Sequence, residues 1–377
     1  MHIKQLIIRR PADWATTQAL HESAVNLLLV FGSVEHFTAP DLLPQLRAAA
    51  PGALLLGCTT AGEIGAHGVD DGCCHLTAIQ FENTRLQPAS TRLLDMADSF
   101  AAGKRLGHQL AAVDLRAVLL FGPGVRINGS ALVNGLASII GPQLPISGGL
   151  AGDGGAFVET FTLGPEGISN DAVVAVGLYG DALHFGHGSF GGWEPFGPAR
   201  KVTRCAGNVL YELDGEPALD IYKRYLGEHA RGLPGSGLLF PFSMLGEDHN
   251  AIGLTRTILG IDEATGSLIL AGDIDPDGYL RLMHASTDKL VNGAEAAAEA
   301  ALLSNPGESL AILVSCVGRK LVMGNRVDEE VEAVVDTFGP HTAITGFYSY
   351  GEISPFSADA SCKLHNQTMT VTCLSEA

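Results

Sequence analysis

A short glycine-led frame stands twice in this chain, as GCTTAGEIG at 57–65 and as GFYSYGEISP at 346–355. Two distant stretches sharing Gly-x-x-x-x-Gly-Glu-Ile imply internal duplication, which restricts the chain to folds in which like units pack on like. The flanks repeat as well. Residues 27–31 (LLLVF) read as a buried strand ended by Gly-Ser. Residues 39–50 place Leu42, Leu43, Leu46 and Ala50 on one helical face, with Pro40 near the start. Residues 53–56 are a second buried strand, and 74–81 alternate as a third. The same order returns at 118–121, 130–140, 144–147 into GGLAGDGG, and 172–178. A third copy runs through 310–315, 328–338, GFYSYGEISP and 366–373. The strand-to-glycine spacings, Phe31 to Gly57, Phe121 to Gly148 and Ser315 to Gly346, agree to within a loop's length.

Between copies two and three lies a different stretch, about 198–300, introduced by HFGHGSFGGWEPFGP at 184–198. It holds a helix at 217–228 striped by Leu219, Tyr222, Tyr225 and Leu226. The segment GLLFPFS at 237–243 follows, then a hairpin over 254–270 turned at 263–266, and an alanine-rich helix at 287–303. The expected fold class is α/β, with repeated strand–helix–strand–strand units forming mixed sheets flanked by helices and an inserted α+β region. A boundary near 198 divides the chain into 1–197 and 198–377.

Length and composition narrow the function. At 377 residues the chain exceeds one ordinary core, and 46% hydrophobic against 17% charged residues excludes disorder as its working state. A net charge of −18 repels phosphate backbones and anionic membranes, so neither nucleic acid nor membrane is an expected partner. Seven cysteines, odd in number and without CxxC spacing, fit a reducing compartment. No apolar run is long enough to span a bilayer and no cleavable leader is apparent, so the expectation is a cytoplasmic protein.

All three glycine loops follow strand ends, where open α/β sheets bind ligands. If the copies pack side by side, the loops present Cys58, Thr59, Thr60 and Glu63, then Gly148, Gly149 and Asp153, then Tyr348, Tyr350 and Glu352. Glycines admit a ligand to the backbone, hydroxyls and carboxylates fix its polar groups, and rings cover its apolar part. The alternative is that the loops only turn the chain and the two glutamates tie down backbone amides. Arg126 and Asn128 follow the first strand of copy two and could hold a carboxylate, although Asn128 is equally placed to cap a helix. Arg319 stands at the matching point of copy three, where an exposed arginine would be unremarkable.

Sharper motifs fail. GHGSFG at 186–191 satisfies GxGxxG by letter, yet Gly-Trp-Glu-Pro follows where a helix is needed. GxxxxGK[ST], GxSxG and HExxH are absent, and no Cys/His cluster has zinc spacing, so no metal site is expected. Cys58, at a strand end before a glycine loop, is the best thiol for nucleophilic chemistry, with an ordinary buried cysteine as the alternative. The missing CxxCH excludes covalent c-type haem and leaves b-type haem open. His187, His184 and His365 are the axial candidates, each lying in a glycine- or strand-rich segment.

GCTTAGEI, NGSALVNGL with SGGLAGDG, GGWEPFGP, LYELDGEPALDIYKRYLG and GFYSYGEISP with LHNQT occur in one order along nearly the whole chain. In this the chain resembles the FIST family (F-box and intracellular signal transduction proteins), with an N-terminal FIST domain and a FIST C-domain. The resemblance implies a sensor, not an enzyme. It also implies a small ligand such as an amino acid, and a signalling partner such as a histidine kinase or cyclase. Free-standing bacterial members include haem-binding nitric-oxide sensors, which makes haem b the cofactor to look for. Two alternatives stand beside that reading: a metal-free sensor of amino-acid-like ligands, and a cysteine-dependent enzyme using Cys58.

Overall fold

The computed structural model describes residues 1–11, 13, 20, 24–303, 308–356 and 361–377. The three copies are present, and each is larger than its glycine frame suggests. In every copy two parallel strands form the centre: Leu27–Gly32 with Leu54–Thr59, Leu115–Gly122 with Ile146–Leu150, and Ser309–Cys316 with Thr342–Ser349. An antiparallel strand (Cys74–Gln80, Ala172–Tyr179 or Met369–Glu376) adds to the first of each pair. Beyond it lies an edge strand from the start of the copy, His2–Ile8, Arg85–Arg92 or Leu183–Phe190.

The opposite edge of each sheet is supplied by another copy. The hairpin of copy one, Glu63–Gly65 with Gly68–Asp70, pairs with Thr342–Ser349 of copy three. The hairpin of copy two, Thr162–Gly164 with Gly167–Ser169, pairs with Leu54–Thr59 of copy one. The hairpin of copy three, Gly351–Pro355 with Cys362–His365, pairs with Ile146–Leu150 of copy two. The exchange closes a ring, so all three sheets have six strands in the same order. None of the donated edges is left unpaired on its inner side, which removes an aggregation hazard.

The frame glycine has one reason in all three copies. A Cβ at Gly57, Gly148 or Gly346 would stand 1.8, 1.9 or 1.9 Å from the carbonyl oxygen of Val30, Leu120 or Leu313 on the paired strand. At the next position the copies share volume across the strand pair: Phe31 faces Cys58, Phe121 faces Gly149, and in copy three the order inverts to Val314 beside Phe347. The three phenylalanine rings meet where the copies converge, at centroid distances of 5.4, 4.7 and 5.7 Å. A side chain at Gly149 would meet Val314 at 2.8 Å and the Phe347 ring at 3.3 Å. Large and small residues therefore alternate to fill one interior.

Helices cover these sheets. Ser99–Leu110 packs on Gly129–Ile140 through Gly103 and Gly135, whose absent side chains let the backbones touch. Thr287–Ala301 packs on Asp328–Phe338 and on the strand Leu183–Phe190. The inserted region, Glu194 to His284, forms a nine-stranded antiparallel sheet with its own apolar cluster around Leu213, Tyr222, Phe242 and Leu280. It enters copy three between that copy's edge strand and its first helix. The expected hairpin is there, Ile258–Asp262 against Ser267–Leu270, whereas 237–243 splits into a 3-10 turn at Gly235–Leu239 and a strand at Phe242–Leu245. The helix expected to close the insert, Thr287–Ala301, packs on copy three instead. Among the described residues no helix is long and apolar enough to cross a membrane, and the seven cysteines are all free.

Candidate functional site

The three glycine loops do converge, and they interlock instead of framing a space. Ala61 N–H donates to the Tyr348 carbonyl at 2.8 Å while Tyr348 N–H donates to the Gly62 carbonyl at 2.8 Å. Gly152 N–H reaches the Thr59 carbonyl at 2.8 Å, and Tyr350 N–H the Leu150 carbonyl at 3.1 Å. Cys58, Thr59, Thr60, Glu63, Gly148, Gly149, Tyr348, Tyr350 and Glu352 are all buried.

The repeated glutamates each pin a distant backbone. Thr60 donates its hydroxyl to Glu63, which accepts the Cys73 N–H at 3.2 Å and the Cys73 thiol at 3.4 Å. Ser349 donates to Glu352 at 2.7 Å, and Glu352 accepts the Thr368 N–H at 3.2 Å and the Thr368 hydroxyl at 2.9 Å. Burial dominates their titration, raising Glu63 to about 7 and Glu352 to about 8 against the pull of those hydrogen bonds.

Several expected site residues take other roles. Cys58 is fully enclosed, and burial raises its thiol well above the ordinary range, opposite to what a nucleophile needs. Arg319, where an exposed side chain would be unremarkable, is fully buried and paired with Glu330 at 2.6 Å, with Tyr348 and Ser315 also donating to that carboxylate. A guanidinium can be buried here because its fork finds both a carboxylate and the carbonyls of Gly191 and Leu290.

His184 and His187 lie on opposite faces of one strand, paired with Ser375 and Thr372. His365 is buried, with Nε2 at 3.3 Å from the Ser354 carbonyl and Nδ1 at 3.5 Å from the Ser189 hydroxyl, and burial lowers it to about 4. Neither His184 nor His187 has a hydrogen-bond partner for its ring nitrogens among the described residues, and none of the three histidines lines the cleft at Arg126.

An open cleft lies at Arg126. Two adjoining hollows of about 210 and about 710 Å³ share Met96, Val125 and Arg126. One wall is the turn after the first strand of copy two. The second is the 157–160 loop. The third, Leu259 with residues 269–272, comes from the inserted sheet. Arg126 is exposed, and its guanidinium has no hydrogen-bond or ion-pair partner among the described residues. Its backbone is left-handed, φ 60°, and Phe157 across the cleft is left-handed too, φ 55°. Non-glycine residues in this region cost energy that surrounding structure must supply, and they concentrate at functional sites.

That support is visible. Tyr350 stacks on Phe157 at 4.0 Å and donates its hydroxyl to Asp153. The Asp153 carboxylate in turn takes the N–H groups of Phe157, Val158 and Glu159 at 2.8, 2.7 and 3.0 Å. Asp153 and Tyr350 thus hold the cleft wall without lining it. Asn128 caps the helix Gly129–Ile140 through Ala131 N–H at 3.0 Å and ties it to Asp273 of the insert at 3.0 Å. The cleft carries exposed Leu94, Met96, Val158, Leu259 and Ile269 around Arg126, and Asp95 and Glu159 line its larger hollow. Sequence reading named Arg126 but missed Phe157 and the wall at 259–272, because nothing local brings the insert against copy two.

Similarity to other proteins was found over most of the chain. Uncharacterized protein MJ1623 of Methanocaldococcus jannaschii is 28% identical over 225 residues, 54% of this chain and 41% of that protein, so the match spans less than half of the relative's length. The crystal structure of a cyanuric acid hydrolase from A. caulinodans overlays 100% of this chain and 98% of its own at 10% identity, with a TM-score of 0.39, which says nothing of this chain's chemistry. Residues 26–216 match the FIST N domain and residues 218–355 the FIST C domain, and the chain belongs to the FIST family, whose domains are sensory modules of signal transduction that bind small ligands.

Proposed function

We propose that this protein senses a small carboxylate, of amino-acid type, in the cleft at Arg126 and passes the occupancy of that cleft to a separate signalling protein of the histidine kinase or cyclase class. The observation that carries the reading is an unpaired, exposed guanidinium held on a left-handed backbone, opposite a second left-handed residue, in the cleft where insert and repeat body meet. Arginine supplies a two-pronged donor for a carboxylate. Asp95 and Glu159 are placed for an ammonium group, and Met96, Leu259 and Ile269 for an apolar side chain. Because two separately built units form the walls, a ligand that touches both favours one relative position of them. That is the physical content of a signal.

A thermal-shift screen of amino acids and short carboxylic acids tests this. Saturating ligand at a hundred times its Kd stabilises by about 2.7 kcal/mol, a readily measured shift. Stabilisation of the natural protein that vanishes in Arg126→Ala supports the reading. A screen in which no carboxylate shifts the midpoint, or in which Arg126→Ala responds equally, removes it.

A further inference from the structure

We propose that Asp70, Cys73 and His75 form a binding site for a single divalent transition-metal ion of zinc type, independent of the cleft at Arg126. The three ligand atoms lie within 4.8 Å of one another. His75 Nδ1 stands 3.2 Å from the Ile64 carbonyl, which can only accept, so Nδ1 carries the proton. The other ring nitrogen, Nε2, then turns its lone pair toward Asp70 Oδ2 at 3.1 Å. Lone pair against carboxylate is repulsive unless a positive charge sits between them, either a second proton or a metal ion.

The ring is 5% exposed. A histidine whose far nitrogen donates to a backbone carbonyl while its near nitrogen faces an acid and a thiol has the orientation of a metal ligand. Tetrahedral ligands about 2.0–2.3 Å from zinc stand about 3.3–3.8 Å apart. The Asp70–His75 pair is already near that spacing, and a modest rotation brings in Cys73 Sγ.

The surroundings are consistent with three protein ligands and one outer position. Arg9 holds the second oxygen of Asp70 at 3.2 Å, so that carboxylate would bind through one oxygen only. Glu63 accepts both the N–H and the thiol proton of Cys73. On metal binding the thiol proton leaves to solvent and the N–H contact remains. Asp70 is partly exposed while Cys73 and His75 are buried, so the ion reaches the site past Asp70. Asp70 ends the hairpin that copy one donates to the third sheet, whereas His75 belongs to copy one's own sheet. A metal here would staple the donated hairpin to its parent. Sequence spacing gave no sign of it, since Asp-x-x-Cys-x-His matches no familiar zinc pattern.

Cobalt(II) titration of the chelator-treated full chain tests the site. The expected result is one equivalent bound with a thiolate-to-cobalt charge-transfer band and tetrahedral d–d absorption, displaced by zinc. Cys73→Ser removes the charge-transfer band, and Cys205→Ser, altering the half-exposed thiol elsewhere, keeps it. No band at stoichiometric cobalt, or one that survives Cys73→Ser, overturns the proposal. Should Cys73→Ser not fold, Asp70→Asn on the partly exposed turn decides: cobalt affinity reduced at least about tenfold supports the site, and unchanged affinity removes it.

Discussion

Glu63 and Glu352 do the same local task at equivalent points of the first and third copies. In each, a hydroxyl three residues earlier donates to the carboxylate, which then holds a backbone N–H ten or sixteen residues further on. The shared glutamate is a clamp that closes the donated hairpin onto the strand after it. Copy two has Gly154 at the corresponding place, and Asp153 beside it holds the cleft loop instead.

A pH dependence follows from the clamp at Glu352. Burial raises this carboxyl from 4.5 unfolded to about 8 folded. Its contribution to stability is therefore full below the unfolded value and is lost as pH climbs toward the folded one. The slope is at most about 1.4 kcal/mol per pH unit for one group. Glu352→Gln cannot ionise, so its penalty relative to the natural protein should shrink between about pH 5 and about pH 9. Urea midpoints of the two proteins that run parallel over that range would refute this.

The frame glycines give a second test. A methyl group at Gly346 would sit 1.9 Å from the Leu313 carbonyl oxygen, a backbone atom that cannot rotate away. Gly346→Ala should cost about 3 kcal/mol or more, at the upper end of overpacking. Alanine at Gly52, whose Cβ meets nothing within 4 Å but whose φ is 84°, carries only conformational strain and should cost about 1–2 kcal/mol. Equal losses at the two positions would contradict the steric argument.

How far the sequence spoke depends on how local the cause is. Gly57, Gly148 and Gly346 were legible because a parallel strand pair needs a close approach at a fixed distance from the strand end. The hairpin exchange was not, because Glu63-Ile64 pairs with strand 342–349 through contacts far away in the chain. The edge strand Arg85–Arg92, RLQPASTR, was missed since one side is open and carries little apolar pattern. Arg319 read as an unremarkable arginine because its neutralising partner, Glu330, lies on the next helix. Arg126 was legible as a cation after a strand, but its cleft became visible only with the insert in place.

The Arg319–Glu330 pair sets a third expectation. Both side chains are fully buried. Arg319→Met leaves Glu330 a buried charge without its partner, costing about 3–5 kcal/mol. Arg319→Met with Glu330→Gln removes both charges and should recover part of that loss, so the two effects are not additive. A double-mutant cycle by urea denaturation with additive penalties would show that the pair is not coupled.

Arg126 separates binding from stability in one position. A left-handed non-glycine residue costs about 1–2 kcal/mol, and glycine adopts φ 60° without that cost. Arg126 is exposed and unpartnered, so its side chain contributes little to folding. Arg126→Gly should therefore leave the unfolding midpoint unchanged or raise it, offset in part by the greater freedom of glycine in the unfolded chain. The same change removes the only cation that lines either hollow among the described residues, so ligand-induced stabilisation should disappear. Arg126→Lys keeps the charge and loses the fork, and should weaken a carboxylate ligand by about tenfold while keeping some response. If Arg126→Gly destabilises the free protein as strongly as a core substitution, the residue is structural, and the strain at this turn has no connection to a ligand.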